Sequence, residues 1–199
     1  EIINIDGLVI NNEIHCSSLI KRGEEDINKN SSYFYAVTSR KLEERMKQKA
    51  IILSKQLVNL LGYKYGPFTI DTILNDNQFY PIEASPHLHA VSFYENLKKH
   101  PLRLWAKYLE SRRLERSSNP VTNIGYCALT VKKYKIKINE NLLKLFLAQN
   151  FIIDYYRYID CKSNFQTNSR PKVVFIFWFR FRSEKSLCNI FNQLKGVVS

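Results

Sequence analysis

Phe68-Thr69-Ile70-Asp71-Thr72-Ile73-Leu74, followed by Asn75-Asp76-Asn77 and then by Gln78-Phe79-Tyr80-Pro81-Ile82-Glu83-Ala84-Ser85-Pro86-His87, is the stretch whose reading decides the fold. Two runs rich in aromatic and β-branched residues flank a tip of Asn and Asp, residue types that tolerate left-handed backbone and so favour a turn. The segment predicts an antiparallel hairpin. Asp71 stands four residues before the turn and Glu83 six after it, which brings the two carboxylates to the same end of the ribbon. Side chains alternate with a period of two, so a bulge or a one-residue slip would turn one of them to the opposite face. Two hard oxygen donors on neighbouring strands suit Mg²⁺ held between protein and substrate phosphates.

Working outward, Glu1 to Ile20 alternates apolar and polar residues around Asn11-Asn12 and predicts a second hairpin. Lys21 to Ser32, with Gly23, three acids and several Asn and Ser residues, reads as a polar loop. A helix is expected next. Thr38 or Ser39 can cap it, Glu43 and Glu44 suit the positive end of its dipole, and Leu42, Met46, Ala50, Leu53, Leu57, Leu60 and Leu61 form the apolar stripe before Gly62 ends it. The expected arrangement lays this helix across one face of an antiparallel sheet that pairs the two hairpins. The other face is left for nucleotide and metal.

Beyond Pro86 a helix is expected with Pro101 in its first turn. Leu102, Trp105, Ala106, Leu109 and Leu114 would face one side, and Arg103, Lys107, Arg112 and Arg113 the other. Ser117-Ser118-Asn119-Pro120 is the linker candidate. After it come strands at Gly125 to Val131 and Tyr134 to Ile138, a helix at Glu140 to Gln149, strands at Ile152 to Ile159 and Val173 to Phe181, and a last helix capped by Ser183 and ending at Gly196. The fold class is α+β: an antiparallel sheet with packed helices over residues 1–116, then a small α+β domain over 117–199.

At 199 residues and 45% hydrophobic content the chain can bury one substantial core or two small ones. No apolar run approaches the roughly 20 residues of a spanning helix, and no basic-then-apolar leader opens the chain, so cytoplasmic residence is the expectation. Cys16, Cys127, Cys161 and Cys188 are scattered without CxxC pairing and read as buried free thiols. The net charge of +12 attracts polyanions in general. Its spread among helices and strands argues against a nucleic-acid partner. The densest run, Lys132, Lys133, Lys135 and Lys137 around Ile136 and Ile138, reads as a strand with a solvated face. Walker A, G-x-G-x-x-G and G-x-S-x-G patterns do not occur, which removes positive support for P-loop, Rossmann and nucleophile-elbow chemistries.

The hairpin also resembles the metal-binding end of the ATP-grasp carboxylate-amine ligases, in which an acidic residue on one strand precedes an E-x-N-P-R segment on the next. Asp71 falls at the first acidic position, Glu83 at the second, Ser85 at the usual Asn and His87 at the usual Arg. Glu1 to Ile10 and Glu13-Ile14-His15 resemble the family's paired strands, and Leu61-Gly62-Tyr63-Lys64-Tyr65-Gly66 its "LG-x-x-x-G" lead-in. The strand-rich tail is similar to the domain that follows the ATP-grasp core. About half of such an enzyme is represented, as the second ATP-grasp subdomain with its carboxy-terminal domain.

The resemblance implies ATP and Mg²⁺ as cofactors, with Mn²⁺ as a substitute cation, and small-molecule carboxylate and amine substrates joined through an acyl phosphate. It implies Asp71, Glu83 and Ser85 as metal ligands, Lys21 with Asp71 and Glu83 as cofactor-binding residues, and Arg22 and His87 as catalytic residues. With no amino-terminal subdomain before Glu1, the expectation is a ligase-derived segment that does not catalyse alone. Its exposed apolar surface would then meet the missing amino-terminal half, with a homodimer as the other partner such a surface can take.

From the residues alone, Asp71 and Glu83 read first as exposed strand charges, with metal ligation the less common alternative. Ser85 can equally cap the turn at Pro86, and Lys21-Arg22 can simply open a solvated loop. His87 and His89 have chelating spacing but no third ligand nearby. An imidazole also lacks the permanent charge and bidentate fork of Arg. The competing functional class is a basic, non-catalytic binding module for nucleotide or nucleic acid on the same fold.

Overall fold

The computed structural model describes residues 1–88, 101–112, 123–131, 138–158 and 172–198. By contact the chain divides into two units, Glu1–Arg22 with Thr38–Thr122, and Gly23–Val37 with Asn123–Ser199. The expected division at 116/117 had kept Gly23–Val37 with the first of these. The proposed linker at Ser117–Pro120, the lysine-rich run at 132–137, and His89, Arg113, Leu114, Ile159 and Cys161 lie outside the described residues.

In the first unit the strand order is β5-β4-β1-β2, with β1 at Ile2–Ile10, β2 starting at Glu13, β4 at Tyr65–Asn75 and β5 at Gln78–Ser85. All three pairings are antiparallel. Both predicted hairpins form on two-residue turns whose residues sit in the left-handed region: Asn11 and Asn12 at φ 53° and 64°, Asp76 and Asn77 at φ 47° and 60°. This is the primed geometry that follows the twist of the flanking strands, and Asn and Asp enter it at low cost.

Helix α1, Arg40–Leu60, packs on one sheet face. Ile3, Ile5 and Val9 of β1, Phe68, Ile70 and Leu74 of β4, and Leu42, Met46, Ala50 and Val58 of the helix make one buried cluster. Gly62 follows at φ +64°, which ends the helix as read from the sequence. The apolar stripe is shorter than expected. Leu60 and Leu61 are exposed because they lie past the last turn that reaches the sheet. Helix α2, Pro101–Ser111, lies against the other face. It contributes Leu104, which is buried with Leu8 and Ile10, and Trp105 and Tyr108, which pack around them. Ala106 and Leu109, expected on the apolar side, are exposed.

The second unit has the strand order β3-β6-β8-β7 with the Gly23–Asn28 end of β2 beside β3. Its elements are β3 at Ser31–Thr38, β6 at Ile124–Val131, α3 at Glu140–Leu147, β7 at Ile152–Arg157, β8 at Lys172–Arg180 and α4 at Glu184–Val197. The polar loop expected from Lys21 to Ser32 is therefore strand up to Asn28 and strand again from Ser31. Its acids become strand side chains with partners: Glu24 accepts from the Ser32 hydroxyl at 2.8 Å, and Glu25 from Tyr33 at 2.6 Å and Lys195 at 3.0 Å. These bonds, the Tyr33 one first, hold the Glu25 carboxyl below its ordinary range.

The core of this unit is aromatic. Phe146, Phe175, Phe177, Phe179, Phe181, Phe191 and Tyr33 are buried together, and burying each such ring contributes roughly 2–3 kcal/mol. Ser183 caps α4 as read, in a capping box with Ser186. Cys127 is a buried thiol as expected, but Cys188 on α4 is exposed. Among the described residues no helix is long and apolar enough to cross a membrane.

Candidate functional site

In β1 the sequence Ile3-Asn4-Ile5-Asp6 alternates, and the odd positions face α1. The even positions therefore put Asn4 and Asp6 on the opposite face, where both are 0% exposed. Register brings the rest of the site to them. Asn4 stands opposite Asp71 and Asp6 opposite Thr69 on β4. On β5, Glu83 stands opposite Asp71 and Ser85 opposite Thr69. Cross-strand partners share a face, so Asn4, Asp6, Thr69, Asp71, Glu83 and Ser85 form one polar surface.

Asp6, Thr69, Asn4 and Asp71 are tied with Arg22 into a chain of hydrogen bonds, and Ser85 and Glu83 form a separate bonded pair beside it. Thr69 donates to the Asp6 carboxylate. The Asn4 amide donates to Asp71 Oδ1 and, at 3.5 Å, to Thr69 Oγ1. Arg22 Nη2 donates to Asp71 Oδ2 at 2.8 Å, and the Ser85 hydroxyl donates to Glu83 Oε1 at 2.9 Å. A buried polar chain of this kind fixes the direction of Asp71, because moving the carboxylate breaks two bonds at once.

The facing of the two carboxylates depends on a bulge. At the tip Asn75 pairs with Gln78 and Thr72 with Pro81, and that register extended would place Ile82 opposite Asp71 and Glu83 on the α1 face. The register shifts by one residue between Thr72 and Asp71, leaving Ile82 as the extra residue and turning Glu83 to the side of Asp71. Pro81 offers no N–H to the ladder, which makes this position on an edge strand a low-cost place for the shift.

The remaining predicted site residues divide. Arg22 joins the site through Asp71. Lys21 does not: it stands opposite Ile3, hence on the α1 side, and forms an ion pair with Glu1 at 2.7 Å. That hydrogen bond lowers the Glu1 carboxyl from its ordinary value against an opposing desolvation. His87 follows β5 in an exposed bend two residues past Ser85. Asn4, Asp6 and Thr69 had no place in the sequence reading. The signal for the first two was present as polar residues on alternate positions of an otherwise apolar strand.

A further carboxylate, Glu43 on α1, is 3% exposed and accepts from the Leu19 backbone N–H. Burial pushes its carboxyl up from the ordinary value, and the Leu19 bond only partly offsets that. The sequence reading assigned it to the positive end of the helix dipole. Instead it satisfies a backbone donor of β2 from the helix side.

Chemically, the accessible groups of the polar face offer metal-binding oxygens, the Asp71 and Glu83 carboxylates and the Ser85 hydroxyl, while Asn4, Asp6 and Thr69 are buried beside them. Among the described residues no three His, Cys, Asp or Glu side chains gather as a metal cluster, so a transition-metal site with a full protein shell does not fit. Mg²⁺ does. It demands oxygen, keeps several waters and is commonly held by one or two carboxylates together with substrate phosphates.

No family model matches the sequence, and no curated protein matches it by sequence. Solved structures do match the fold. An L-amino acid ligase from Bacillus licheniformis superposes with a TM-score of 0.74 at 17% identity, covering 99% of this chain and 52% of the ligase. The phosphoribosylaminoimidazole carboxylase ATPase subunit from Aquifex aeolicus matches at TM-score 0.61 and 18% identity, over 100% of this chain and 56% of its own. N5-carboxyaminoimidazole ribonucleotide synthetase from Thermus thermophilus matches at TM-score 0.63 and 14% identity, over 100% and 51%. The chain spans about half the length of each. Its architecture is that of one part of the ATP-grasp fold shared by these proteins.

Proposed function

We propose that this chain forms the metal-binding part of an ATP-dependent ligase that activates a carboxylate as an acyl phosphate for attack by an amine. The observation that carries the reading is the direct cross-strand opposition of Asp71 and Glu83, on the sheet face away from α1, in a fold shared with ligases and synthetases. Asp71, Glu83 and the Ser85 hydroxyl would hold Mg²⁺, with Mn²⁺ as a substitute. When bound, the ion supplies charge neutralisation to the transferring phosphoryl group.

The residues of the chain supply positioning. Asn4 and Arg22 fix Asp71 in direction. Arg22, whose planar fork suits phosphate and carboxylate oxygens, would contact an anionic group of the substrates. His87 stands where such ligases carry Arg, and as an imidazole it contributes charge only when protonated. The reading places the protein in the cytoplasm, and its nucleotide-contacting lysines in an amino-terminal half of the same enzyme.

A second reading, a non-catalytic binding module on the same fold, is favoured by one observation: the Asp71 charge is already compensated by Arg22. The two are separated by titrating the chain with Mn²⁺ and following the free-ion electron paramagnetic resonance signal. The ligase reading expects a Mn²⁺ site that Glu83→Ala removes. Equal binding by the wild type and Glu83→Ala would overturn it.

A further inference from the structure

Asp71 is held by two donors, one on each oxygen: the Asn4 amide on Oδ1 and the Arg22 guanidinium, at 2.8 Å, on Oδ2. The ion pair is mostly shielded, with side-chain exposures of 17% for Arg22 and 21% for Asp71. Arg22 reaches it from β2, two strands away, crossing β1, because Arg22 stands opposite Ile2 and Asp71 opposite the adjacent inward position Asn4. Glu83, by contrast, is exposed, and its Oε1 accepts from the neutral Ser85 hydroxyl. One carboxylate of the facing pair thus carries a built-in cation and the other accepts from a neutral group.

We infer that Arg22 is the resident counter-cation of Asp71 and competes with a divalent metal for that carboxylate, so that Arg22 sets the metal affinity of the site. The inference rests on the metal reading proposed above. A dication arriving between Glu83 and Asp71 meets a fixed positive charge already bonded to Asp71. Two outcomes are open to the guanidinium: it stays and the metal is held mainly by Glu83, or it leaves and its fork turns to the oxygens of an incoming phosphate or carboxylate. Either way the wild-type site binds metal more weakly than two bare carboxylates would. Repulsion between a dication and a guanidinium at neighbouring positions on one carboxylate, screened as in water, corresponds to about a tenfold change in affinity.

The test is direct binding, independent of turnover. Mn²⁺ is titrated into the whole chain, with the free-ion resonance signal as readout, for the wild type, Arg22→Gln, Arg22→Lys and Glu83→Ala. Competition predicts that Arg22→Gln binds Mn²⁺ about tenfold more tightly. Arg22→Lys, which keeps the charge, should stay near the wild type. If Arg22→Gln does not give the wild-type circular dichroism spectrum, Arg22→Met, which keeps the packing of the stem, replaces it. Wild-type binding that Glu83→Ala removes, but that neutralising Arg22 leaves unchanged or weakens, overturns the competition and leaves the metal site standing. Absence of a Glu83-dependent Mn²⁺ site in both the wild type and the neutral Arg22 variant overturns the inference together with the reading beneath it.

Discussion

Replacing Asp71 by Ala should destabilise the first unit far more than removal of a surface charge would. The carboxylate is the common acceptor of Arg22 and of Asn4, and Asn4 is 0% exposed. Removing one partner of a fully buried pair costs about 3–5 kcal/mol. With side chains about one-fifth exposed, solvent reaches the guanidinium that loses Asp71, and a share of about 1–2 kcal/mol is appropriate. The Asn4 amide, left with its 3.5 Å contact to Thr69, adds about 1 kcal/mol for an incompletely satisfied buried donor. The sum is about 2–3 kcal/mol. Asp71→Asn, which can still accept from either donor, should lose roughly half as much. Urea unfolding followed by far-ultraviolet circular dichroism measures both. A loss below about 0.5 kcal/mol for Asp71→Ala, the range of an ordinary surface substitution, would refute the buried polar chain as the device that holds Asp71.

Other outcomes follow from the same structure. The Glu43 carboxyl is raised in the folded state, so folding favours its protonated form, and the stability it confers falls as pH rises from the unfolded value through the folded one. Glu43→Gln, which keeps an acceptor for Leu19, should raise the melting temperature at neutral pH and flatten that part of the pH–stability curve; an unchanged slope would contradict the assignment. A Cβ at Gly125 would lie 2.4 Å from the Phe179 ring and 2.7 Å from Val37 Cγ1, and Phe179 is fully buried. Gly125→Ala should therefore cost about 1–3 kcal/mol of unfolding free energy in denaturant melts. Deleting Ile82 removes the bulge residue yet leaves Glu83 opposite Asp71 in the tip register, so Mn²⁺ binding should survive the deletion. Inserting one residue between Ile82 and Glu83 with the bulge kept moves Glu83 opposite Ile70, on the helix face, and should abolish that binding.

The two hairpins, the long helix and the Ser183 cap were legible because each is a local signal: Asn and Asp at turns, a 3.6-residue apolar stripe ended by Gly62, and a hydroxyl three residues before its partner. Strand β3 was not. Ser31-Ser32-Tyr33-Phe34-Tyr35-Ala36-Val37-Thr38 is a fair β sequence, but the acids of Gly23–Asn28 before it read as loop, and they become strand only because β3 supplies ladder bonds and the Ser32 and Tyr33 hydroxyls accommodate Glu24 and Glu25. Tertiary context overrode propensity there.

At the site, the types and proximity of Asp71 and Glu83 could be read from the chain, but their common face could not. It depends on one extra residue at Ile82, and the sequence marks that position only by the neighbouring Pro81. Lys21 and Arg22 looked interchangeable as adjacent basic residues. Pleating sends them to opposite faces, Lys21 to Glu1 and Arg22 to Asp71. Glu43 carried no sign of burial, since a glutamate in the first turn of a helix is ordinarily a solvated dipole partner.

The most direct measurement of the central claim is phosphate release from ATP by the complete ligase proposed above, this chain joined to its amino-terminal half, with Mg²⁺, across a panel of amino acids and other small carboxylates, beside the Glu83→Ala variant. The account predicts release that depends on a carboxylate substrate and falls by at least about a hundredfold in Glu83→Ala. Substrate-dependent release that persists in Glu83→Ala would contradict it, as would no release from folded protein that binds nucleotide.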